Sequence, residues 1–149
     1  MGAKERVGVN DKLAGQGTHL LGEWYGCDFS AVAKNGAESL RATCLDATRA
    51  SGLEIVGDVF HQFKPQGVTG TVLLAESHLA IHTWPEAGFV TVDVYVCNYR
   101  EDNTHKALAL YAALIAHFQP AQENFAKVLR GRSHTDYLHD GVPRLVKVN

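Results

Sequence analysis

In residues 89–97, FVTVDVYVC, apolar and polar side chains take turns. Val90, Val92, Val94 and Val96 fall on one face of a strand and Thr91, Asp93 and Tyr95 on the other. One face is therefore expected to be core and the other to meet something polar. The same character extends back to Leu53: LEIVGDVFHQF, GVTGTVLLAES and HLAIHTW are rich in Val, Ile, Thr and aromatics. Breaks at Lys64–Gly67 and Pro85–Gly88 divide this region into three or four sequential strands, an antiparallel meander.

Helical spacing brackets the meander. Upstream, KNGAESLRATCLDATRASG offers Asn35 as an N-cap, Leu40, Cys44 and Ala47 on one stripe, and Gly52 as a stop. Downstream, DNTHKALALYAALIAHFQP places Ala107, Leu108, Tyr111, Leu114, Ile115 and Phe118 on a 3.6-residue stripe. Asp102 or Asn103 is its cap, and Pro120 lies beyond its end. A first strand at HLLGEWYGC and a last near ENFAKVLRG complete the order β-α-β-β-β-α-β. That order predicts an α+β fold, a two-layer α/β sandwich whose two helices cover one face of a mainly antiparallel sheet. Residues 1–16, polar and glycine-rich, read as a flexible arm, and 17–149 as a single domain.

Bulk properties narrow the function classes. A formal charge of -2 over 149 residues, with no basic run interleaved with aromatics, gives no footprint for nucleic acid. No apolar run is long enough for a membrane span, and the N-terminal stretch lacks a signal peptide's apolar core, so a cytoplasmic location is expected. Arg6 stands where a myristoylation motif needs Ser or Thr. Cys27, Cys44 and Cys97 are far apart and without a CxxC pair, so free thiols are expected.

The candidate chemistry sits in AESHLAIHTWPE, residues 75–86. His78 and His82 share a strand face, but no third ligand is suitably spaced and no metal site is expected. Ser77 lacks the glycines of a nucleophile elbow. From composition alone, Ser77 and His78 would form a turn and His82 would be a half-buried strand histidine.

HLLGEWYGCD, FHQFKPQGVTGTVLLAESHLAIHTWPE and VDVYVC, in this order and spacing, resemble the prokaryotic S-adenosylmethionine decarboxylase proenzymes, which make their own pyruvoyl group. The similarity runs from about Thr18 through Cys97, with a weaker echo in RGRSHTDY. It implies self-cleavage between Glu76 and Ser77, giving a β chain 1–76 and an α chain 77–149 whose residue 77 is the covalent pyruvoyl cofactor. The Ser77 Oγ would attack the preceding carbonyl, turning amide into ester. Loss of the Ser77 α-proton would then expel the acyl chain, and hydrolysis would leave the pyruvoyl group. That ketone would form a Schiff base with the substrate and accept its electrons as CO2 departs.

By the same resemblance, His82 is the processing acid/base and Thr69 another processing group, where the family usually has serine. Cys97 is the proton donor to the substrate, Phe63 and His82 stack on the adenine, and Glu86 binds the ribose. Cys27 receives no role and Cys44 is expected in the core. Val96 and Asn98 depart from the small hydroxyl residue and glycine expected around Cys97, which leaves the substrate's amino-acid portion open. The implied function is decarboxylation of S-adenosylmethionine for spermidine biosynthesis, by a homodimer of processed protomers. The alternatives are a pyruvoyl-dependent ornithine or arginine decarboxylase, and an unprocessed, non-catalytic homologue that partners or regulates an active paralogue.

Overall fold

The computed structural model describes residues 17–30 and 36–131. The expected 1–16 arm, the Asn35 cap and all of the RGRSHTDY echo beyond Arg130 and Gly131 lie outside these residues. The described elements are β1 (Gly17–Tyr25), α1 (Gly36–Ser51), β2 (Ile55–Gln62), β3 (Val68–Leu74), β4 (Ser77–Trp84), a short 3-10 turn (Pro85–Ala87), β5 (Phe89–Cys97), α2 (Thr104–Phe118) and β6 (Gln122–Arg130). Four strands, rather than the three of the expected order, separate the helices. The two-residue turn Ala75–Glu76 is tight enough to part β3 from β4, although it contains neither Gly nor Pro.

All six strands form one sheet in the order β2-β3-β4-β5-β1-β6, and every neighbouring pair is antiparallel. Both helices lie on the same face, α1 over β2 and β3, α2 over β5 and β1. The alternation along β5 holds residue by residue: Val90, Val92, Val94 and Val96 are buried, and the residues between them are half-buried. Leu20 and Trp24 of β1, Val68 and Val72 of β3, and Leu79 and Ile81 of β4 join those valines beneath the helices. Removing this apolar surface from water is the main force holding the two layers together.

The helices contribute Leu40, Cys44 and Leu45 from α1 and Ala107, Leu110, Tyr111, Leu114 and Phe118 from α2. Leu110 is thus buried where the stripe read from spacing had Leu108, which is 42% exposed. The cause is Tyr111: its hydroxyl accepts a hydrogen bond from Trp24 Nε1 at 2.9 Å and donates to Glu123 Oε2 at 3.0 Å, anchoring α2 to both β1 and β6. Gly22 leaves room for that hydroxyl, since a Cβ there would lie 2.5 Å from it. Gly52 ends α1 at φ 85°, as the sequence implied.

The second face of the sheet carries no helix among the described residues. It displays Val59, Phe63, Leu73 and Trp84, which are 62, 48, 48 and 40% exposed, beside the polar members of β4 and β5. This open face and the end of the sheet at Ser77 frame the candidate chemistry.

Candidate active site

β3 turns into β4 through Ala75 and Glu76, and Leu74 pairs with Ser77 across the turn. Glu76 adopts φ 61°, a left-handed conformation that costs a non-glycine residue roughly 1–2 kcal/mol. The Ala75 N–H donates to the Glu54 carbonyl at 3.2 Å, so the turn is tethered from behind. The strain therefore sits on the residue whose carbonyl precedes Ser77.

Ser77 opens β4 next to the end of β5, and its Oγ accepts a hydrogen bond from the Cys97 N–H at 2.9 Å. The two residues lie 20 apart in the chain, and the sheet joins them. Glu76, Ser77 and Cys97 line a cleft of about 340 Å³ whose far wall includes Asn103 and Lys106. Glu76 and Cys97 also border a second cleft of about 420 Å³, with Gly17, Tyr95, Tyr99 and Arg130. Tyr95 belongs to the face of β5 that the helices leave uncovered, so this second cleft opens there.

Register builds a separate cluster. Counting outward from the Leu74 and Ser77 pair brings Thr69 opposite His82, and the Thr69 Oγ1 and His82 Nδ1 are 3.0 Å apart in a hydrogen bond. His61 lies opposite Thr69 on the other side, and the His61 ring packs edge-on against Phe63 at 4.7 Å between centroids. Glu86 follows on the exposed 3-10 turn. His82, Thr69, Phe63 and Glu86 thus gather at one end of the sheet and Ser77 and Cys97 at the other.

Within one chain the two groups do not meet. Five residues of extended strand separate Ser77 from His82, about 16 Å, and an odd spacing turns their side chains to opposite faces. His82 shares the open face with His78, while Ser77 shares the parity of the buried Leu79 and Ile81. Thr69 and His82 are paired; His82 and Ser77 are not.

The structure gives several side chains contacts that sequence spacing did not assign to them. Asn103, expected as a cap for α2, makes no side-chain capping bond. Its Nδ2 donates instead to the Cys97 carbonyl at 2.8 Å, while Asp102 Oδ1 accepts the Thr104 N–H at 2.9 Å. On the open face, His19 and Asp93 stand 3.4 Å apart, with His78 and Tyr95 against the same imidazole and the Arg130 guanidinium 4.5 Å from the Tyr95 ring centre. The half-buried Asp93 and Tyr95 were the signal for this cluster, since both face away from the core of an otherwise valine strand.

Burial holds the His78 imidazole below its ordinary pKa, with neighbouring His19 and Arg130 acting in the same direction and Asp93 against them. The unfolded chain takes up this proton near pH 6.5, whereas the folded chain resists it, so His78 withdraws stability as pH falls below about 6.5. A His78→Gln chain should lose less of its urea midpoint between pH 7.5 and 5.5 than the parent does. An equal loss in both would remove His78 as the cause. Burial also raises the Cys27 thiol to about 11 and the Cys44 thiol to about 12, which leaves both as poor nucleophiles at neutral pH.

The sheet with helices on a single face makes this a two-layer α+β protein. A family model described as S-adenosylmethionine decarboxylase matches residues 18–131, and the chain belongs to that family. Among similar proteins, the S-adenosylmethionine decarboxylase proenzyme of Geobacillus sp. (strain WCH70) is 47% identical over 83 residues, 56% of this chain and 65% of the relative. That of Pelotomaculum thermopropionicum is 48% identical over 81 residues, 54% of this chain and 63% of the relative. Each match spans slightly less than two thirds of the curated relative's length. The crystal structure of the adenosylmethionine decarboxylase from Aquifex aeolicus VF5 aligns with a TM-score of 0.69 at 34% identity, covering 80% of this chain and 93% of that one.

Proposed function

We propose that the chain cleaves itself between Glu76 and Ser77, converts Ser77 to a pyruvoyl group, and then decarboxylates S-adenosylmethionine, supplying an aminopropyl donor for spermidine biosynthesis. The observation that carries this reading is the Ser77 hydroxyl held by the Cys97 N–H directly after a glutamate in left-handed conformation. Relief of the Glu76 strain favours attack by Oγ on the preceding carbonyl, and the turn can open without cutting a strand. The curated relatives are named proenzymes, in keeping with a chain that matures by processing.

The surroundings of residue 77 fit a ketone-bearing group: it faces a cleft of substrate-sized volume and lies beside a cysteine. When present, that group supplies an electron sink for the pair left behind by CO2. The chain's own residues do the rest. In this reading Cys97, half-buried at the cleft, returns a proton to the substrate carbon, while Glu86 and Phe63 of a second copy offer a carboxylate for hydroxyls and a ring for a base. Thr69 positions the His82 imidazole through their hydrogen bond.

Two copies are part of this reading, since His82 cannot reach Ser77 of its own chain. The uncovered sheet face, with four large exposed apolar side chains, is the surface on which a second copy fits. The cleft bordered by Glu76 and Cys97 opens onto that face, so a partner seated there can present its Thr69 and His82 to the Glu76 side of the scissile bond. Three free thiols suit the reducing cytoplasm. No helix among the described residues is long and apolar enough to cross a membrane.

Carboxyl-labelled S-adenosylmethionine, ornithine and arginine, offered in parallel to protein whose cleavage has been followed by intact mass, test the reading. Release of label from S-adenosylmethionine alone is expected. Release only from a basic amino acid would transfer the proposal to that substrate, and an intact, inert chain would leave only a non-catalytic role.

A further inference from the structure

Cys97 is held at both ends of its backbone. Its N–H reaches the Ser77 Oγ at 2.9 Å, and its carbonyl accepts from Asn103 Nδ2 at 2.8 Å. Asn103 is in turn held by its neighbour in the loop, because the Asn98 Oδ1 accepts the Asn103 N–H at 2.8 Å. The Asn98 Nδ2 donates to Thr18 Oγ1 at 3.1 Å and to Thr104 Oγ1 at 3.2 Å. Those two hydroxyls also bond each other at 2.9 Å, and Thr18 is 1% exposed. One carboxamide thus ties β1, the start of α2 and the loop after β5. Tyr99, Arg100 and Glu101, the middle of that loop, are exposed, and Glu101 meets α2 through an exposed ion pair with Lys106 at 3.1 Å.

We propose that Asn98 is a positioning residue for self-cleavage: through Asn103 it fixes the carbonyl end of the Cys97 backbone, so that the N–H at the other end stays pointed at the oxygen that must leave. The inference rests on the self-processing reading above. In the ester formed by the acyl shift, Ser77 Oγ bridges the serine Cβ and the Glu76 acyl carbon. A base removes the Ser77 α-proton, and the C–H pair becomes the Cα=Cβ double bond. The Cβ–Oγ bond breaks with its pair going to Oγ, which departs as one oxygen of the Glu76 carboxylate. Negative charge grows on the atom that the Cys97 N–H addresses, and a preorganised donor there lowers the barrier. Ester formation depends on this donor less, because in that step Oγ loses electron density to the new bond.

The test follows release of fragment 1–76 by intact mass, with and without hydroxylamine, which cleaves an ester directly and bypasses elimination. Losing a direct oxyanion donor costs about 10²–10³-fold, so Asn98→Ala, which only displaces one, is expected to slow spontaneous cleavage by about 10-fold. Hydroxylamine should bring its release to within about twofold of the parent chain in the same reagent. Asn98→Asp keeps the acceptor for the Asn103 N–H and should cleave within about threefold of the parent rate. Should Asn98→Ala fail to fold, Asn103→Ala removes the Cys97 carbonyl bond alone and should show the same hydroxylamine-responsive delay. Unchanged spontaneous cleavage in the alanine chain, slow release in both conditions, or Asn98→Asp as slow as Asn98→Ala would each overturn the proposal. A parent chain that never cleaves would instead defeat the underlying reading.

Discussion

A Ser77→Ala chain is expected to remain a single polypeptide under conditions in which the parent chain separates into 1–76 and 77–149. The substitution removes the hydroxyl that, in the proposed reading, attacks the Glu76 carbonyl, so neither ester nor subsequent elimination is available. Hydroxylamine should release nothing, because no ester exists for it to attack. Decarboxylation should fall by roughly 10⁴-fold or more, since in the proposed reading residue 77 becomes the electron sink itself. The fold should survive: the loss is one hydrogen bond from the Cys97 N–H, worth about 1 kcal/mol, at a half-exposed position. Two fragments from a folded Ser77→Ala chain, divided at the same bond, would show that Ser77 is not the precursor.

Mixing two inactive chains should restore cleavage. In the proposed reading His82→Ala alone is expected to stay intact for want of the processing imidazole, and Ser77→Ala alone for want of the nucleophile. Produced together, they can form a pair in which the intact Ser77 and Cys97 of the His82→Ala chain face the Thr69 and His82 of the Ser77→Ala chain. With random pairing in a two-fold dimer, about half of the His82→Ala chains should be cleaved and none of the Ser77→Ala chains. The mass of the released 77–149 fragment identifies its parent, since that fragment itself carries the His82 substitution. Its complete absence, with both chains folded and paired, would place the base within the same chain and contradict the separation of about 16 Å and the opposed strand faces.

The sequence foresaw the local features well because they are periodic. The alternation of valines along β5 anticipated which face is buried, and the Gly52 stop and Pro120 bounded the helices correctly. It missed the rotation of α2, where Leu110 and Leu108 exchange places. The apolar residues of that helix almost encircle it, so spacing alone does not choose a face, and the Trp24–Tyr111–Glu123 bonds do. Asn103 does stand at the N-cap of that helix, as local sequence implied, but the use of its side chain on the Cys97 carbonyl depends on how the loop folds back.

The candidate site divides along the same line. The resemblance read in the sequence points to the bond between Glu76 and Ser77 as the cleavage site; a two-residue turn at this point sets the β3–β4 register that pairs Thr69 with His82. It took the folded sheet to bring Cys97 to Ser77, to join Asn98 to Thr18 across 80 residues, and to leave one sheet face without helices among the described residues. Strand periodicity states which side chains share a face, but not which strands become neighbours. That choice is made by packing two helices over a single face, which buries the valines together and leaves His82 on the opposite surface, out of reach of the serine five residues before it.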